Sequence, residues 1–495
     1  MAGIQTADPM ISTVTLVPAS KALGFSGSTE ALAASISTLA LAASVIPTGL
    51  IADRAGRRRV LLIALIVAAL GDLLAAASPN ALIYLAGRTV AGIGLGAVFG
   101  ASFALVARVA GQQLGSALGL FTAMASVTTL AGAFVGGALA SASWRVAFCV
   151  VPALCAAALL AAVRIVPGHE PAERRPADVL GLALLAAGTV GILFGLSNAS
   201  ASLAAPRTWL PVVLGVAALG LFGLVESRSD HPAFPIGLLR NRVFAAAVIA
   251  GLGWNLAQSV TVLQLSNLWQ YVDRYSTIAV TFGQLPFSIV AIAGAIVVGR
   301  QLSRGVAASH LILAAFGAMV AGFGSLWFIR PGAPYWAFLP ALILIGVGIA
   351  AASVPQARLF MSEAPPEYFG PVTSSRLTTG QFGFALGLTG SAVLISSLTR
   401  GGVTRRLLAA GVPPSQLGQG LDAVSAYVRT GAGPGTAAGR QALRSAAPAY
   451  LHAFNTTMLL VAVMMGVAGL AMYLMLAGSA RTRASEQSPS RGRSR

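Results

Sequence analysis

Long apolar runs separated by short polar breaks recur along almost the whole chain. Each run is about twenty residues long, the length at which an α-helix crosses roughly 30 Å of hydrocarbon. A sliding hydropathy window predicts six spans, then a pair, then six more. They lie at 2–24, 30–51, 60–78, 81–107, 115–141, 145–166, 178–197, 209–225, 243–271, 277–299, 308–329, 334–354, 371–398 and 453–477. The pattern therefore predicts an all-α integral membrane protein with about fourteen transmembrane helices.

The composition agrees with that pattern. Of the 495 residues, 56% are hydrophobic and 9% are charged, whereas an ordinary soluble domain is about a quarter charged. The net charge of +18 would suggest nucleic-acid binding in a soluble protein. Here the arginines lie in short loops beside apolar spans, where they orient a chain in the membrane. We therefore expect the lipid bilayer, and no nucleic acid, as a partner.

The arginines are shared unequally between the two alternating sets of loops. One set carries most of them, including 57–59. The short loops of the other set hold only Lys21, Arg145, Arg207, Arg274 and Arg330. Because short cytoplasmic loops carry the excess of arginine, we expect the first set and both termini to be cytoplasmic. The preference for arginine over lysine is typical of GC-rich bacteria, so a multi-pass protein of the bacterial inner (cytoplasmic) membrane is expected.

The polar breaks divide the chain into predicted units. Residues 1–166 are expected to form a first six-helix bundle, and residues 167–242 two linker helices with flanking cytoplasmic loops. Residues 243–477 are expected to form a second six-helix bundle. It includes an external loop at 400–452, partly helical around SQLGQGLDAVSAYV. Residues 478–495, rich in Ser, Arg and Gly, are predicted to be a disordered cytoplasmic tail.

The turn between the second and third spans, within GLIADRAGRRRVLL, concentrates charge in a chain that is poor in it. Asp53 ends a helix whose negative dipole end lies at this turn, so it requires nearby arginines or a helix N-terminus. A topology signal alone explains the arginines but neither Asp53 nor Gly49. The residues that form the pattern are Gly49, Asp53, Arg54, Gly56, Arg57 and Arg58.

Six spans, a pair and six more, with this GxxxDRxGRR loop, resemble the major facilitator superfamily. The resemblance implies two six-helix bundles plus two extra central helices, which rock about a central site in alternating access. It also implies that the loop is a breakable charge latch between the bundles. A diverged copy, GRQLSRGVAAS, follows the tenth span; Gly299, Arg304 and Gly305 are kept, and Ser303 replaces the acid.

Two further segments resemble antiporters of that superfamily. GAFVGGALASASWRVAFCVVP matches their helix motif at Gly132, Gly136 and Gly137, although Ala133 stands where the family has proline. HPAFPIGLLRNRVF resembles the segment that leads into the ninth span of the fourteen-helix drug:proton antiporter family. This second segment favours that family over those with twelve helices.

Acidic residues inside the predicted spans are few. Asp8 lies in a segment that resembles the family's first-helix motif, and Asp72 lies in the third span. Arg88, in RTVAGIGLGA, costs about 3 kcal/mol in a membrane helix and is expected to have a buried partner. The adjacent Gly92 and Gly94 are expected to let helices approach closely. We expect the two acids and Arg88 to couple transport to protons; the alternative is that each acid is tolerated near an interface.

The ninth span carries a stripe of polar residues within about a 120° arc, which predicts a face toward a central cavity. Tryptophan beside the stripe can stack on an amphipathic or cationic ligand, although near a span end, as at Trp269, it more often anchors to the interface. An arginine of the thirteenth span lies one turn before a position where the family often has one. The predicted substrate cavity comprises Trp254, Asn255, Gln258, Ser259, Ser266, Gln270 and Arg376.

The sequence contains no motif for ATP hydrolysis or for metal binding. Lys21 is the only lysine and has no phosphate-binding glycine loop, so the chain is not expected to be its own ATPase. Without HExxH or a paired-cysteine motif, no metal and no cofactor is expected, and Cys149 and Cys155 are expected to be free thiols.

We therefore expect no enzyme but a monomeric secondary active transporter that exports hydrophobic small molecules or drugs in exchange for protons. An uptake permease, or a lipid or metabolite exporter of the same fold, remains an alternative. A membrane sensor or a membrane-embedded enzyme is the alternative of a different class.

Overall fold

The computed structural model describes residues 2–25, 27–110, 114–166, 179–198, 205–228, 236–362, 369–430 and 434–486. All regular structure in these ranges is helical. The α-helices are α1 (Ala2–Leu23), α2 (Gly27–Ala55), α3 (Arg57–Ala77), α4 (Ala81–Ala110), α5 (Leu114–Ala142), α6 (Trp144–Ala147), α7 (Val150–Ile165), α8 (Val179–Asn198), α9 (Pro206–Arg228), α10 (Arg242–Tyr271), α11 (Thr277–Gly283), α12 (Leu285–Ser303), α13 (Ala308–Ser325), α14 (Leu339–Ser362), α15 (Phe369–Ala409), α16 (Leu417–Thr430) and α17 (Ala437–Glu486).

Each predicted span coincides with a helix or with a pair of consecutive helices. Within the described ranges, ten helical stretches are long and apolar enough to cross a membrane. In α2, α5 and α8 the apolar stretch is shorter, at Leu32–Val45, Val127–Ala142 and Ala183–Ile192. The all-helical membrane architecture is thus confirmed, and the count of fourteen spans stays a prediction.

α1 falls outside those ten stretches because it is polar on a surface that other helices cover. Its buried residues include Asp8, Ser12, Thr13 and Thr15. α1 contacts α5, α4, α2 and α10. A helix enclosed by protein on several sides does not have to present an apolar surface to lipid. The polar residues of α1 are therefore compatible with its place among the other helices.

The helices of residues 2–166 pack mainly on one another, and so do those of residues 242–486. We refer to these sets as the first half and the second half. α8 and α9 form a hairpin in which α8 contacts both α2 of the first half and α15 of the second. The exact unit boundaries near 167 and 242 stay predictions, because 167–178 and 229–235 lie outside the described residues.

Two turns in the two halves have matching glycine geometry. Gly56, between α2 and α3, has φ 93°, and Gly305, between α12 and α13, has φ 91°. Such backbone angles are readily adopted by glycine alone. The match supports the diverged internal repeat. We refer to the end of the molecule where α2 meets α3 as the arginine end, and to the opposite end, where α10 meets α11, as the far end.

The predicted loop at 400–452 is largely helical. α15 continues to Ala409 and α17 already begins at Ala437, while α16 confirms the helix expected between them. α16 packs on α15 and α17 around a small apolar cluster that includes Leu407, Leu421 and Ala442. The helices continue because a rise in polarity ends an apolar stretch without removing helix propensity.

The last helix extends into the segment predicted as a disordered tail, which stays a prediction for the rest. α17 continues to Glu486. The sequence SARTRASE is rich in alanine, arginine and glutamate, which favour helix once one is established. Residues 487–495 lie outside the described part of the chain.

Candidate functional site

Three charged side chains that the sequence singled out separately meet in the first half. Arg88 of α4 lies between Asp8 of α1 and Asp72 of α3. Its Nη1 donates to Asp8 Oδ1 at 2.5 Å and to Asp72 Oδ1 at 2.6 Å, and its Nη2 donates to Asp8 Oδ2 at 2.9 Å. Each side chain is at most 1% exposed. We name these three residues the Arg88 cluster.

Glycines allow the helices of the cluster to approach closely. A Cβ built on Gly87 of α4 would lie 2.6 Å from the backbone N of Ala75 in α3. One built on Gly92 would overlap the carbonyl oxygen of Ser37 in α2, and one on Gly94 would overlap the backbone of Ala68 in α3. The expectation that Gly92 and Gly94 serve close packing is confirmed.

The two carboxylates of the cluster are held unequally. Asp8 makes two bonds to Arg88 and accepts a third from Ser37 Oγ at 2.9 Å. Asp72 makes one, and its Oδ2 has no hydrogen-bond partner among the described residues. Two carboxylates around one guanidinium give a formal charge of −1 in a buried site, where an unpaired charge is costly. The cluster can therefore take up one proton and become neutral, and Asp72 Oδ2 is the free position for it.

Aromatic residues close the cluster on the side of α6. The Arg88 guanidinium carbon lies 5.1 Å from the centroid of the Phe148 ring, a distance suited to a cation–π contact. Tyr84 packs edge-on against Phe148 and Trp144. Arg145, next in sequence, donates to the carbonyl of Ala76 at 2.6 Å. The WR..F segment thus stabilises the surroundings of the cluster.

The GxxxDRxGRR turn lies at the arginine end. Gly56 takes the positive φ that the turn requires, and Arg58 Nη2 donates to the carbonyl of Val163 in α7 at 2.9 Å. Arg57 and Arg58 stand in the first turn of α3, where the helix dipole disfavours cations. Their place is therefore not explained by helix stability. Gly49 and the side chains of Asp53 and Arg54 lie outside the described residues, and the latch stays a prediction.

The three glycines of the antiporter-like motif on α5 face two different neighbours. A Cβ on Gly132 would lie 2.8 Å from Ala7 Cβ, and one on Gly136 would lie 3.0 Å from Ile11 Cδ1, both in α1. A Cβ on Gly137 would lie 2.8 Å from Thr281 Cβ in α11. The motif therefore packs α5 against α1 with two glycines and against the second half with the third.

The polar stripe on α10 is divided between two contacts. Toward the far end, Ser266 Oγ donates to the carbonyl of Thr13 at 3.3 Å, and Gln270 Nε2 donates to the carbonyl of Val14 at 3.3 Å. These bonds join α10 directly to α1 of the first half. At the same end, Tyr271 donates to Glu30 of α2 at 2.6 Å. This part of the stripe is an interface between the halves rather than an open cavity wall.

The other part of the stripe faces α15. A Cβ on Gly380 would lie 3.0 Å from Asn255 Nδ2, and one on Gly387 would overlap Ser259 Oγ. Gln258 is half-buried on the same helix. Trp269, considered above as an interface anchor, is instead fully buried, with its ring 5.5 Å from that of Phe338. The expectation that Trp269 anchors the helix at the membrane–water interface is therefore wrong.

Trp254 and Arg376 meet at a residue that the sequence did not single out. Gln356 of α14, 1% exposed, accepts at its Oε1 from Trp254 Nε1 at 3.4 Å and from Arg376 Nε at 3.2 Å. The predicted span ends at 354 and therefore does not include Gln356. A lone amide on an apolar helix that continues to Ser362 is the signal that would have found it.

Within the described ranges, no group of three or more His, Cys, Asp or Glu side chains could hold a metal ion. Cys149 is exposed and Cys155 is buried, and both are free. The expectation of free thiols is confirmed.

Comparison with known proteins identifies the fold and the family. The family model of the Major Facilitator Superfamily matches residues 2–388. The multidrug resistance protein B homolog of Mycobacterium tuberculosis is 29% identical over 360 residues, which cover 71% of this chain and 66% of that protein. The puromycin resistance protein pur8 of Streptomyces alboniger is 26% identical over 417 residues, which cover 82% of each chain.

Solved transporter structures share the architecture at low sequence identity. A bacterial homolog of the human lysosomal transporter Spinster, in an inward-facing conformation, superimposes with a TM-score of 0.64 at 16% identity, covering 96% of this chain and 94% of that one. The POT family transporter PepTSo gives a TM-score of 0.61 at 15% identity, with 96% of each chain covered. Likeness at this identity shows the fold alone. With its all-helical membrane architecture and a family match over most of its length, this chain belongs to the Major Facilitator Superfamily of membrane transporters.

Proposed function

We propose that this protein is a secondary active transporter that exports hydrophobic small molecules or drugs in exchange for protons. Relatives at 26–29% identity support the export of drugs. Besides the two described above, they include a methylenomycin A resistance protein of Bacillus subtilis and a cephamycin export protein of Amycolatopsis lactamdurans. The matched region spans 66% of the mycobacterial relative's length, so the activity of that whole protein is proposed here rather than transferred.

The observation that carries proton coupling is the Arg88 cluster. With both carboxylates ionised, Arg88 is shared between Asp8 and Asp72, and α1, α3 and α4 are held together. Protonation of Asp72 at Oδ2 removes one charge and leaves Arg88 paired with Asp8 alone. Because an ion pair stabilises a buried site only while both partners are charged, proton uptake weakens the contact of α3 with α4.

α1 connects this cluster to the second half. Its Asp8 lies in the cluster, and its Thr13 and Val14 carbonyls accept hydrogen bonds from Ser266 and Gln270 of α10. A change of charge at Asp8 or Asp72 therefore acts on a helix that contacts both halves. We propose that this contact, together with the Asp53 latch at the arginine end, biases the rocking of the two halves during alternating access.

The test is dye transport by the purified full-length protein in proteoliposomes under an imposed pH gradient. Wild-type protein is expected to move ethidium only when the gradient is present. Asp8→Asn and Asp72→Asn are expected to abolish the gradient-dependent part. Asp273→Asn, which removes a carboxylate outside the cluster, serves as the matched control and is expected to transport normally.

Two outcomes contradict the proposal. Gradient-driven transport that persists in both Asp8→Asn and Asp72→Asn would remove the cluster from the coupling mechanism. Movement of dye with the proton flux, rather than against it, would indicate an uptake permease. A lipid or metabolite exporter of the same fold would move its own substrate, and not ethidium, against the proton flux.

The finer assignment to the fourteen-helix drug:proton antiporter family is part of this proposal, as are a monomeric state and cytoplasmic termini in the bacterial inner membrane. The fourteen-helix assignment requires that the α8–α9 hairpin cross the membrane twice. Single cysteines introduced before α8 and after α9, in a variant lacking Cys149 and Cys155, would test this requirement. Both cysteines are expected to react with a membrane-impermeant maleimide from the same side of the membrane, because a hairpin that crosses the membrane twice returns the chain to that side. Labelling of the two cysteines from opposite sides would contradict the assignment.

A further inference from the structure

The second half contains an arginine without an acidic counterpart in its spans. Its six candidate spanning stretches hold no aspartate or glutamate at any position; they are Arg242–Tyr271, Thr277–Ser303, Ala308–Phe328, Tyr335–Phe360, Thr379–Ala409 and Ala437–Leu476. Arg376 nevertheless lies seven residues inside α15, roughly 10 Å along its axis. A charged residue at such a position is a candidate functional group with a partner to be found.

No carboxylate of the described residues lies within ion-pair distance of Arg376. Among those residues, Gln356 is its one hydrogen-bond partner, through Nε. The two Nη groups are therefore left without a protein acceptor in the described part of the chain. The residue as a whole is half-buried.

Gln356 fixes the orientation of this guanidinium. Its Oε1 accepts from both Trp254 and Arg376, so the amide group is held by two donors from two helices. A guanidinium bound at Nε presents its Nη edge outward, and that edge matches the two oxygens of a carboxylate. The Trp254 ring, half-buried beside Gln356, supplies apolar surface next to the charge.

We infer that Arg376, oriented by Gln356 and flanked by Trp254, binds the carboxylate of an amphipathic anionic substrate. The inference rests on the proposed export function and specifies the substrate class of that transporter. A cationic substrate such as ethidium gains no counter-charge from the spans of the second half and is therefore expected to bind there more weakly than an anionic compound of similar shape. An anionic one neutralises the guanidinium that the spans of the second half leave without an acid.

The test uses three pyrene amphiphiles that differ only in the head group. They are 1-pyrenebutyrate, 1-pyrenebutanol and 1-pyrenebutylamine, which are anionic, neutral and cationic at neutral pH. Binding to the purified full-length protein in detergent is followed by energy transfer from its six tryptophans to pyrene. Wild-type protein is expected to bind the butyrate about tenfold more tightly than the alcohol or the amine, the gain typical of a charge-assisted hydrogen bond.

Variants assign that preference to Arg376. Arg376→Gln is expected to lower butyrate affinity to that of the alcohol while alcohol binding stays unchanged, which also shows that the protein is folded. Arg376→Lys is expected to keep part of the preference, because the charge remains but the bidentate geometry is lost. The matched control is Arg358→Gln, which removes a charge from α14 where Arg358 donates to the Leu302 carbonyl, and it is expected to bind all three as the wild type does.

Three results would overturn the inference. The first is a wild-type protein with no preference for the butyrate, and the second is an Arg376→Gln variant that keeps the preference. The third is a marked gain of butyrate binding in Glu363→Gln or Glu367→Gln, since a carboxylate of the chain itself would then occupy the guanidinium. Gradient-driven ethidium transport is measured on the same preparations. If ethidium is transported but the protein shows no preference for the butyrate, the proposed function stands and this inference fails. If ethidium is not transported but the preference for the butyrate is present, the binding site stands and the proposed function fails.

Discussion

The two halves of the molecule surround a helical arginine with different partners. In the first half, Arg88 is enclosed by two carboxyl groups from two other helices, one more than its single charge requires. In the second half, Arg376 is held by one neutral amide, and no acid lies in the surrounding spans. In our proposals, the first site gains a proton and the second gains an anion. Two helical halves thus provide two kinds of charge compensation.

The difference shows where each half obtains its counter-charge. A charge inside a membrane protein must be paired or neutralised. The first half supplies its own carboxylates, so its charge state changes with protonation. In the second half, by our proposal, a bound ligand supplies the negative charge that compensates Arg376. The predictions below test this contrast, beginning with the variant in which it has the greatest consequence.

Removal of the two arginines is expected to have very different effects on stability. Arg88→Gln leaves Asp8 and Asp72 buried without a cation, and breaking a buried ion pair in this way costs about 3–5 kcal/mol. We expect little folded protein, whereas Arg376→Gln leaves no acid behind among the described residues and should unfold at nearly the wild-type temperature. Thermal unfolding in detergent, followed by circular dichroism, measures both.

The triple variant Arg88→Gln, Asp8→Asn, Asp72→Asn controls for the loss of packing by Arg88. Because it removes the uncompensated charge together with the arginine, it is expected to recover much of the lost thermal stability. If Arg88→Gln were as stable as Arg376→Gln, the Arg88 cluster would not be the buried network described above.

Loss of the acid in the charged turn is expected to affect transport more than stability. Asp53→Asn should leave the protein folded in the membrane but nearly abolish transport, because the proposed latch loses its negative partner. The corresponding turn of the second half has Ser303, whose hydroxyl, among the described residues, bonds only to the carbonyl of Arg300 within its own helix. Ser303→Ala is therefore the matched control and should transport normally. Normal transport by Asp53→Asn would leave the turn as a topology signal alone.

Sequence could identify the members of the Arg88 cluster but not their assembly. An arginine or an aspartate inside an apolar run is visible in one dimension because it costs energy in the membrane. That Asp8 and Arg88 meet across 80 positions is a property of the packing of α1 on α4. Asp72, which matches no family motif, is placed in the cluster by its position sixteen residues before Arg88 across the α3–α4 turn.

Periodicity predicted faces of helices but not what those faces contact. The stripe on α10 is real as a pattern, yet Ser266 and Gln270 contact α1 while Asn255 and Ser259 face α15. A hydropathy window ends a predicted span where polar residues begin, even if the helix continues. The predicted span therefore ends before Gln356, which lies inside α14.

The contact between the halves at α5 and α11 is expected to tolerate no added methyl group. Gly137→Ala would place a Cβ 2.8 Å from Thr281 Cβ, and overpacking of this kind typically costs about 1–3 kcal/mol. Because the contact joins the two halves, we expect a several-fold loss of transport rate in protein that remains folded. Gly317→Ala in α13, where a Cβ meets nothing within 4 Å, is the control. Equal rates for the two variants would show that this contact does not limit the movement of the halves.

The smallest expected effect concerns Asp273, a half-buried acid in the turn that follows α10 of the second half. Burial raises the pKa of its carboxyl, so the ionised form is less favourable in the folded protein than in the unfolded chain. Stability conferred by this group is therefore lost as the pH rises through its folded pKa. Asp273→Asn should raise the unfolding temperature slightly at neutral pH, and the gain should vanish as the pH falls below the unfolded pKa of about 3.9. A gain that is independent of pH would show that the ionisation of Asp273 does not cause it, whereas a lower unfolding temperature at neutral pH would show that a cation compensates the carboxylate.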